Sequence, residues 1–327
     1  VSEVLAVVLL LLVALLLALL VAPLESLGWW AGWFGRRDEL ERDVDAARQR
    51  ARPPSAHSGG EGYVVFLSGI GAISGTELLA AEAEFLRLLD EQLPQATVVT
   101  DVFPYAAGGD GLTGGRAFAR LWRLLHRMRL RGAKVVTNLV NLRNLFQVLV
   151  SADSRYGPVF NYGTSRQVLL GLLRAGYRPE QRRPVFLLGS SGGGQIAVGA
   201  VPFLEETLGA PVEVISLGGV MSSDPGLRAV DHLAHVHGSL DGIQALGGRV
   251  FPSRWPTSPR SEWNRALREG RIEKIGIGPV RHQGTGGYLD GATVLPEGDT
   301  PRDRALAAVA SVVERRLAVH AADRAAG

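Results

Sequence analysis

The chain contains no cysteine. That excludes disulfides, thiolate metal sites and a cysteine nucleophile. Lysine is almost missing as well: Lys134 and Lys274 are the only ones, and neither lies near the glycine-rich stretch around Gly194. A P-loop needs a lysine directly after its final glycine to reach the terminal phosphates, so that reading of the stretch falls. Charge of one sign is not in excess either. The 35 basic and 32 acidic residues leave a formal net charge of +3, which does not suit a nucleic-acid binder. No H-E-x-x-H zinc motif and no internal repeat is present. What the 327 residues do have is 46% hydrophobic content against 20% charged, enough for one large α/β domain with a substantial core.

One hydrophobic run dominates the start. Residues 4–22, "VLAVVLLLLVALLLALLVA", carry no polar side chain, and about 20 apolar residues suffice to cross a bilayer core as a helix. A cleaved signal peptide opens on basic residues and ends in a small-x-small site; here Glu3 precedes the run and "LVAP" closes it. The expectation is an uncleaved transmembrane helix. Trp29, Trp30, Trp33 and Phe34 suit the headgroup layer, and Arg36 and Arg37 are the only basic residues close to the span. Positive charge on its C-terminal side places the body of the protein in the cytoplasm. Residues 1–36 are thus read as anchor and interfacial segment. Residues 37–62, charged and then rich in Pro, Ser and Gly, are read as a linker that includes a solvated His57, and 63–327 as the folded body.

In the body, short β-branched apolar runs alternate with helix-like stretches. Strands are expected at 63–69, 96–103, 184–189, 212–219, 232–238 and 271–278; helices are expected at 76–93, 166–175, 195–208 and 302–320. This alternation predicts an α/β fold, a mostly parallel sheet with helices on both faces. Residues 103–161 interrupt it and read as a helical insertion or cap. Part of that insertion is a basic amphipathic helix bearing Arg116, Arg120, Arg123, Arg127, Arg129 and Arg131, which suits scaffold packing or contact with anionic lipid.

Two glycine clusters follow strands. In "VVFLSGIGAISG", Gly69, Gly71 and Gly75 are spaced G-x-G-x-x-x-G with Asp101 ending the next strand, a weak match to a dinucleotide fingerprint. In "VFLLGSSGGGQIAVGA", Gly189-Ser190-Ser191-Gly192-Gly193 matches G-x-S-x-G between a strand and a helix. There the motif makes a sharp turn that lifts the serine out of the backbone, beside free N–H groups at the helix N-terminus. Ser191 has the elbow spacing; Ser190 is a small neighbour.

A serine nucleophile needs a base, and a base needs an orienting acid, in the chain order Ser, Asp, His for this kind of turn. His282 follows the last strand among glycines. His57, His126 and His320 lie outside the expected region, and His232, His235 and His237 read as packing or surface groups of one strand. For the acid, Asp241 follows the "HVHGSLDGI" strand, Asp224 in "MSSDPG" follows the strand before it, and Asp231 begins a strand. Asp241 is the expected acid and Asp224 the alternative.

The segments "FLSGIG", "LLGSSGGGQIA", "HVHGSLDGI" and "GPVRHQG" together resemble the α/β-hydrolase superfamily over roughly residues 63–320. More narrowly, "NLRNLFQVLVSADSRYGPVFNYG" and "VISLGGVMSSDPG" are similar to a poorly characterised group of bacterial membrane-anchored α/β-hydrolase-like proteins. The resemblance implies an oxyanion hole built from the backbone N–H of Gly192 and that of Ile70 or Gly71. Ser68 stands where many members carry histidine, and the first one or two strands are lacking. The expected activity is a membrane-anchored serine hydrolase on an ester or lipid-like acyl substrate, with no cofactor; an acyltransferase or amidase would use the same groups. The rivals are a catalytically silent hydrolase-like scaffold that binds a lipid or protein partner, and a dinucleotide-binding oxidoreductase.

Overall fold

The structure, a computed structural model, describes residues 60–74, 78–106 and 134–326, with isolated positions at 6, 44–47 and 49. Apart from those positions and residues 60–62, the expected anchor and linker lie outside the described residues; Gly62, counted with the linker, is the first residue of β1. So do Gly75, His57, His126 and the basic helix from Arg116 to Arg131. Among the described residues, no helix is long and apolar enough to cross a membrane.

Among the described residues, six strands form one sheet: β1 (Gly62–Leu67), β2 (Ala96–Val99), β3 (Val185–Ser190), β4 (Val212–Leu217), β5 (Leu233–His237) and β6 (Ile272–Gly276). Their order is β2-β1-β3-β4-β5-β6 and every neighbouring pair is parallel. β1 and β4 are buried at every position, and β3 at all but its last. This explains their nearly unbroken apolar sequences: a parallel sheet covered on both faces has no solvent side to demand alternation. Side chains still alternate between two cores. Tyr63, Val65, Leu187, Val214 and Leu233 pack in one, and Val64, Phe66, Phe186, Ile215 and Ala234 in the other.

The helices divide between these cores. α1 (Ala80–Gln92) contributes Phe85, Leu86 and Leu89 to the second core. α2 (Lys134–Ala152) and α3 (Gly157–Arg174) follow β2, and α3 places Val168 and Leu172 in the first core. α4 (Gly192–Leu208) adds Ala197, Val201 and Leu204 to that face. Two short helices, α5 (Gly242–Val250) and α6 (Glu262–Arg268), come between β5 and β6, and α6 adds Trp263 and Ala266 to the first core. α7 (Pro301–Ala326) closes the opposite face with Leu306, Val309, Val313 and Leu317.

Several boundaries differ from the expectation. The strand expected over 96–103 stops at Val99, because Val102 and Phe103 turn into separate clusters instead of continuing the ladder. The insertion expected to end at 161 has no boundary there: α3 runs through it without a break. The helix expected from 195 begins at Gly192, hidden by three glycines of poor helix propensity. Neither α5 nor α6 stood out, since both are short and α5 contains adjacent glycines.

In a parallel sheet all strands end at the same edge. The chain leaves β1 toward β2 on one side and later enters β3 on the other. A crevice forms at such a reversal, beyond the carboxyl ends of the strands, and ligands bind there in open α/β sheets. The loop after β1 and the turn after β3 meet at this place.

Candidate active site

Ser191 sits between β3 and α4 with φ 50° and ψ −118°, a conformation unfavourable for a side-chain-bearing residue. Glycines make the bend possible. A Cβ on Gly193 would lie 2.2 Å from the Leu67 carbonyl oxygen, and one on Gly189 would lie 2.5 Å from Gly194 N. β1, β3 and α4 therefore approach more closely than any side chain would permit. The bend is pinned from behind, as Ser191 N–H donates to the Leu217 carbonyl (3.0 Å) at the end of β4.

This turn brings Ser191 Oγ to 2.9 Å from Nε2 of His282, on the loop after β6. His282 Nδ1 in turn lies 2.9 Å from Oδ2 of Asp241, in the loop after β5. An ionised carboxylate can only accept, so Nδ1 carries the proton and Nε2 presents its lone pair to the serine hydroxyl. The Asp241 side chain is fully enclosed, while that of His282 is 12% exposed. Burial alone would raise the Asp241 pKa. Hydrogen bonds from His282, from the Gln244 N–H (2.9 Å) and from Tyr288 Oη (2.7 Å) outweigh it and hold the carboxyl below its usual range. Asp241 is at once the partner of His282 and the N-cap of α5.

Asp224 occupies a different place. Its Oδ2 accepts from Gln195 Nε2 (2.6 Å) and its Oδ1 from Gly226 N–H (2.7 Å), capping the single turn Pro225–Arg228. Burial pushes its pKa up to about 6. The carboxylate against His282 is that of Asp241. Asp231 is exposed. His235 is buried between Ser216 Oγ (3.1 Å) and Gln244 (2.6 Å), with its pKa pushed down to about 3 by burial. His320 binds Glu213 at the far side of the molecule, so neither histidine meets Ser191.

The loop after β1 lies against the elbow. A Cβ on Gly69 would be 3.6 Å from Ser191 Cβ, and one on Gly192 would be 2.9 Å from Ile70 Cγ2. Gly192 is the first residue of α4, so its N–H has no intrahelical acceptor. The loop is held by its carbonyls. Tyr105 Oη donates to Ser68 O (2.8 Å), and Asn144 Nδ2 donates to both Ile70 O and Ala72 O (2.8 Å each). Arg143 Nη1 donates to Asn144 Oδ1 (3.0 Å) and Tyr105 O (2.6 Å), which orients the amide; burial lowers its own pKa to about 10, so it stays charged. The described part of the expected insertion therefore supports this loop from below. Val140 and Val148 of α2 pack with Ala72, Ile73, Tyr105 and Ile196.

Among the described residues after β1, no helix opens at Gly69 or Gly71, as a dinucleotide site requires. The loop turns at Ile70–Gly71, and α1 starts only at Ala80. Asp101 is engaged by Arg174 (3.1 Å). Among the described residues, no group of three or more His, Asp or Glu is placed to hold a metal ion.

The sequence assigned no role to Tyr288, Asn144, Arg143 or Tyr105, although Arg143 and Asn144 lie within the stretch that carries the narrower resemblance. Each is brought to the site by tertiary contact.

No protein-family model matches the chain, and no curated protein matches it. Among solved structures, the chain is similar to a crystal structure of esterase PE8, with 15% sequence identity, a TM-score of 0.41, and coverage of 81% of this chain and 98% of that one.

Proposed function

We propose that the chain is a serine hydrolase of the α/β-hydrolase kind, acting on an ester or lipid-like acyl substrate. The observation that carries this reading is the continuous contact from Ser191 Oγ through His282 to Asp241, with each link at 2.9 Å. Ser191 Oγ attacks the substrate carbonyl carbon while its proton passes to His282 Nε2. The carbonyl oxygen becomes an oxyanion, received by the N–H groups of Gly192 and of Ile70 or Gly71 at the positive end of α4. When the tetrahedral species collapses, the leaving alcohol oxygen takes the proton from His282 and an acyl ester on Ser191 remains. Water then attacks that ester, giving a proton to His282; as the second tetrahedral species collapses, Ser191 Oγ leaves and takes that proton back, and the carboxylic acid is released. Asp241 orients the imidazole and stabilises it as imidazolium without taking the proton.

The 4–22 run tethers this machinery to a bilayer, with the body on the cytoplasmic side, and proximity to lipid favours acyl substrates of low solubility. A fluorophosphonate probe, which esterifies an activated serine, tests the reaction class. The wild type labels and Ser191→Ala does not. An unlabelled wild type, or equal labelling of the two, overturns the proposal. Membrane fractionation of the full chain against a chain lacking residues 1–36 tests the tether: the first pellets with membranes and the second does not.

A further inference from the structure

Tyr288 is buried beside the candidate triad, on the same loop as His282. The loop closes on itself. Arg281 N–H donates to Gly286 O (2.7 Å), Gly287 N–H donates to Gly284 O (2.9 Å), and Asp290 Oδ2 accepts from Gly286 N–H (2.6 Å). This closure brings the Tyr288 ring edge-on to the His282 imidazole, with centroids 6.3 Å apart and planes at 83°. The end of β4 leaves room for it. Gly218 has φ +61°, and a Cβ there would lie 2.4 Å from Tyr288 Cε2 and 3.1 Å from Asp241 Oδ2.

The direction of the tyrosine's hydrogen bonds follows from the donor inventory. Gly238 N–H can only donate, and it lies 2.9 Å from Tyr288 Oη. That oxygen therefore accepts from the backbone, and its own proton points to Asp241 Oδ2 at 2.7 Å. This is the oxygen that also accepts the His282 Nδ1 proton, while Asp241 Oδ1 accepts from Gln244 N–H. Three donors thus converge on one enclosed carboxylate, two of them on the oxygen that faces the base.

Resting on the hydrolase reading above, we propose that Tyr288 is a positioning residue for that reaction. Its hydroxyl, oriented by Gly238 N–H, holds the carboxylate rotamer of Asp241 that faces His282. It also draws charge from Oδ2, which weakens the hold of Asp241 on a protonated His282 relative to a carboxylate without this donor. A carboxylate relieved of this donor carries more charge on Oδ2 and stabilises imidazolium more strongly, which protonates the base earlier as pH falls. Among the described residues, His235 and His237 of β5 are further titratable groups whose charge couples with that of Asp241. Burial lowers the pKa of both, and Lys274 of β6 acts on both in the same direction, with Arg254 adding to the effect on His235.

The test is the pH dependence of fluorophosphonate labelling rate in the full chain, compared between wild type and Tyr288→Phe. The acid limb of the variant moves to higher pH by about half to one unit, the size expected for loss of one hydrogen bond to a coupled carboxylate. Replacing Tyr288 by a ring-fluorinated tyrosine strengthens the donor, keeps the ring, and moves the limb to lower pH. It also serves if Tyr288→Phe fails to fold. A tyrosine that only fills space would lower rate or stability and leave the limb where it is. An unmoved limb in the fluorinated protein, or in a folded Tyr288→Phe, overturns the proposal. Absence of labelling in the wild type instead overturns the hydrolase reading itself.

Discussion

Asn144 donates both protons of its side-chain amide to one short loop, to Ile70 O and Ala72 O at 2.8 Å each. A trans peptide holds its N–H opposite its C=O. Holding the Ile70 carbonyl therefore sets the direction of the Gly71 N–H, one of the candidate donors in the proposed oxyanion hole. A residue on α2, far from Ser191 in sequence, thus fixes the orientation of a peptide in the loop beside the serine. The Arg143 guanidinium keeps the Asn144 amide from flipping by claiming its oxygen.

Asn144→Ala is expected to lower kcat by roughly ten- to a hundredfold, less than the full loss of an oxyanion donor, with KM little changed. The orphaned carbonyls and lost bonds cost about 1–3 kcal/mol of stability. Asn144→Asp has the same shape but cannot donate, and behaves like the alanine variant. Hydrolysis kinetics on a chromogenic ester, together with thermal unfolding, check both parts. An unchanged kcat in the alanine variant would remove the loop-positioning role.

The two aspartates that compete for the acid position separate cleanly. Asp241→Asn removes the acceptor that sets the His282 tautomer, and kcat is expected to fall by roughly 10⁴-fold. Asp224→Asn touches only Gln195 and the Pro225–Arg228 turn, so labelling of Ser191 persists. Comparable losses in the two variants would contradict the assignment.

Ser191 carries backbone strain that its position imposes. Glycine tolerates that conformation, whereas alanine does not. Ser191→Gly is therefore expected to unfold at a higher temperature than Ser191→Ala, by a difference of about 1 kcal/mol, although both are inactive. Equal melting temperatures would show that the bend stores no strain at this residue.

A second charged cluster ties α7 to the sheet. Glu213 on β4 is buried and accepts from Arg316 Nε (2.8 Å), Arg316 Nη2 (2.6 Å) and His320 Nε2 (2.6 Å), with His232 Nδ1 3.4 Å away. Burial would raise its pKa. The bonds from His232, His320 and Arg316 prevail and bring it from an ordinary 4.5 down to about 2. A carboxyl depressed on folding contributes stability above its unfolded pKa, and that stability is lost as pH falls through the folded value. Stability should therefore decline between about pH 4.5 and 2. Glu213→Gln leaves the partly exposed Arg316 without its carboxylate, costing about 1–3 kcal/mol at neutral pH, and flattens this acid-side decline. Urea unfolding of both proteins at several pH values reads the difference. Parallel pH curves would show that another group governs acid stability.

The alternation of strands and helices was legible because the buried strands β1, β3 and β4 are short apolar runs closed by glycine or a turn. The elbow was legible for the same reason: Gly189, Ser191, Gly192 and Gly193 are neighbours in the chain, and the need for a sharp bend is written in adjacent residues. The histidine that lies against Ser191 could be picked out by chain order among few histidines. Other features carried no such mark. α5 hides its start in a glycine that follows Asp241, because the cap is the same carboxylate that serves His282. α3 passes straight through the point where an insertion was expected to end, since its apolar face packs against α4 and β1 as one surface.

What the sequence by itself determined is local: an α/β chain, a serine in a sharp turn between a strand and a helix, a histidine after the last strand, and acids after two earlier ones. Which acid meets the histidine, and what holds each group in place, was decided only by the tertiary structure. The sheet order carries β5 and β6 side by side and aligns their carboxyl ends, so Asp241 reaches His282 while Asp224 is claimed by Gln195. Tyr288 and Asn144 act through hydrogen bonds to partners 47 and 74 residues away in the chain. Contacts of that range depend on how the elements pack, and short-range residue patterns do not encode them.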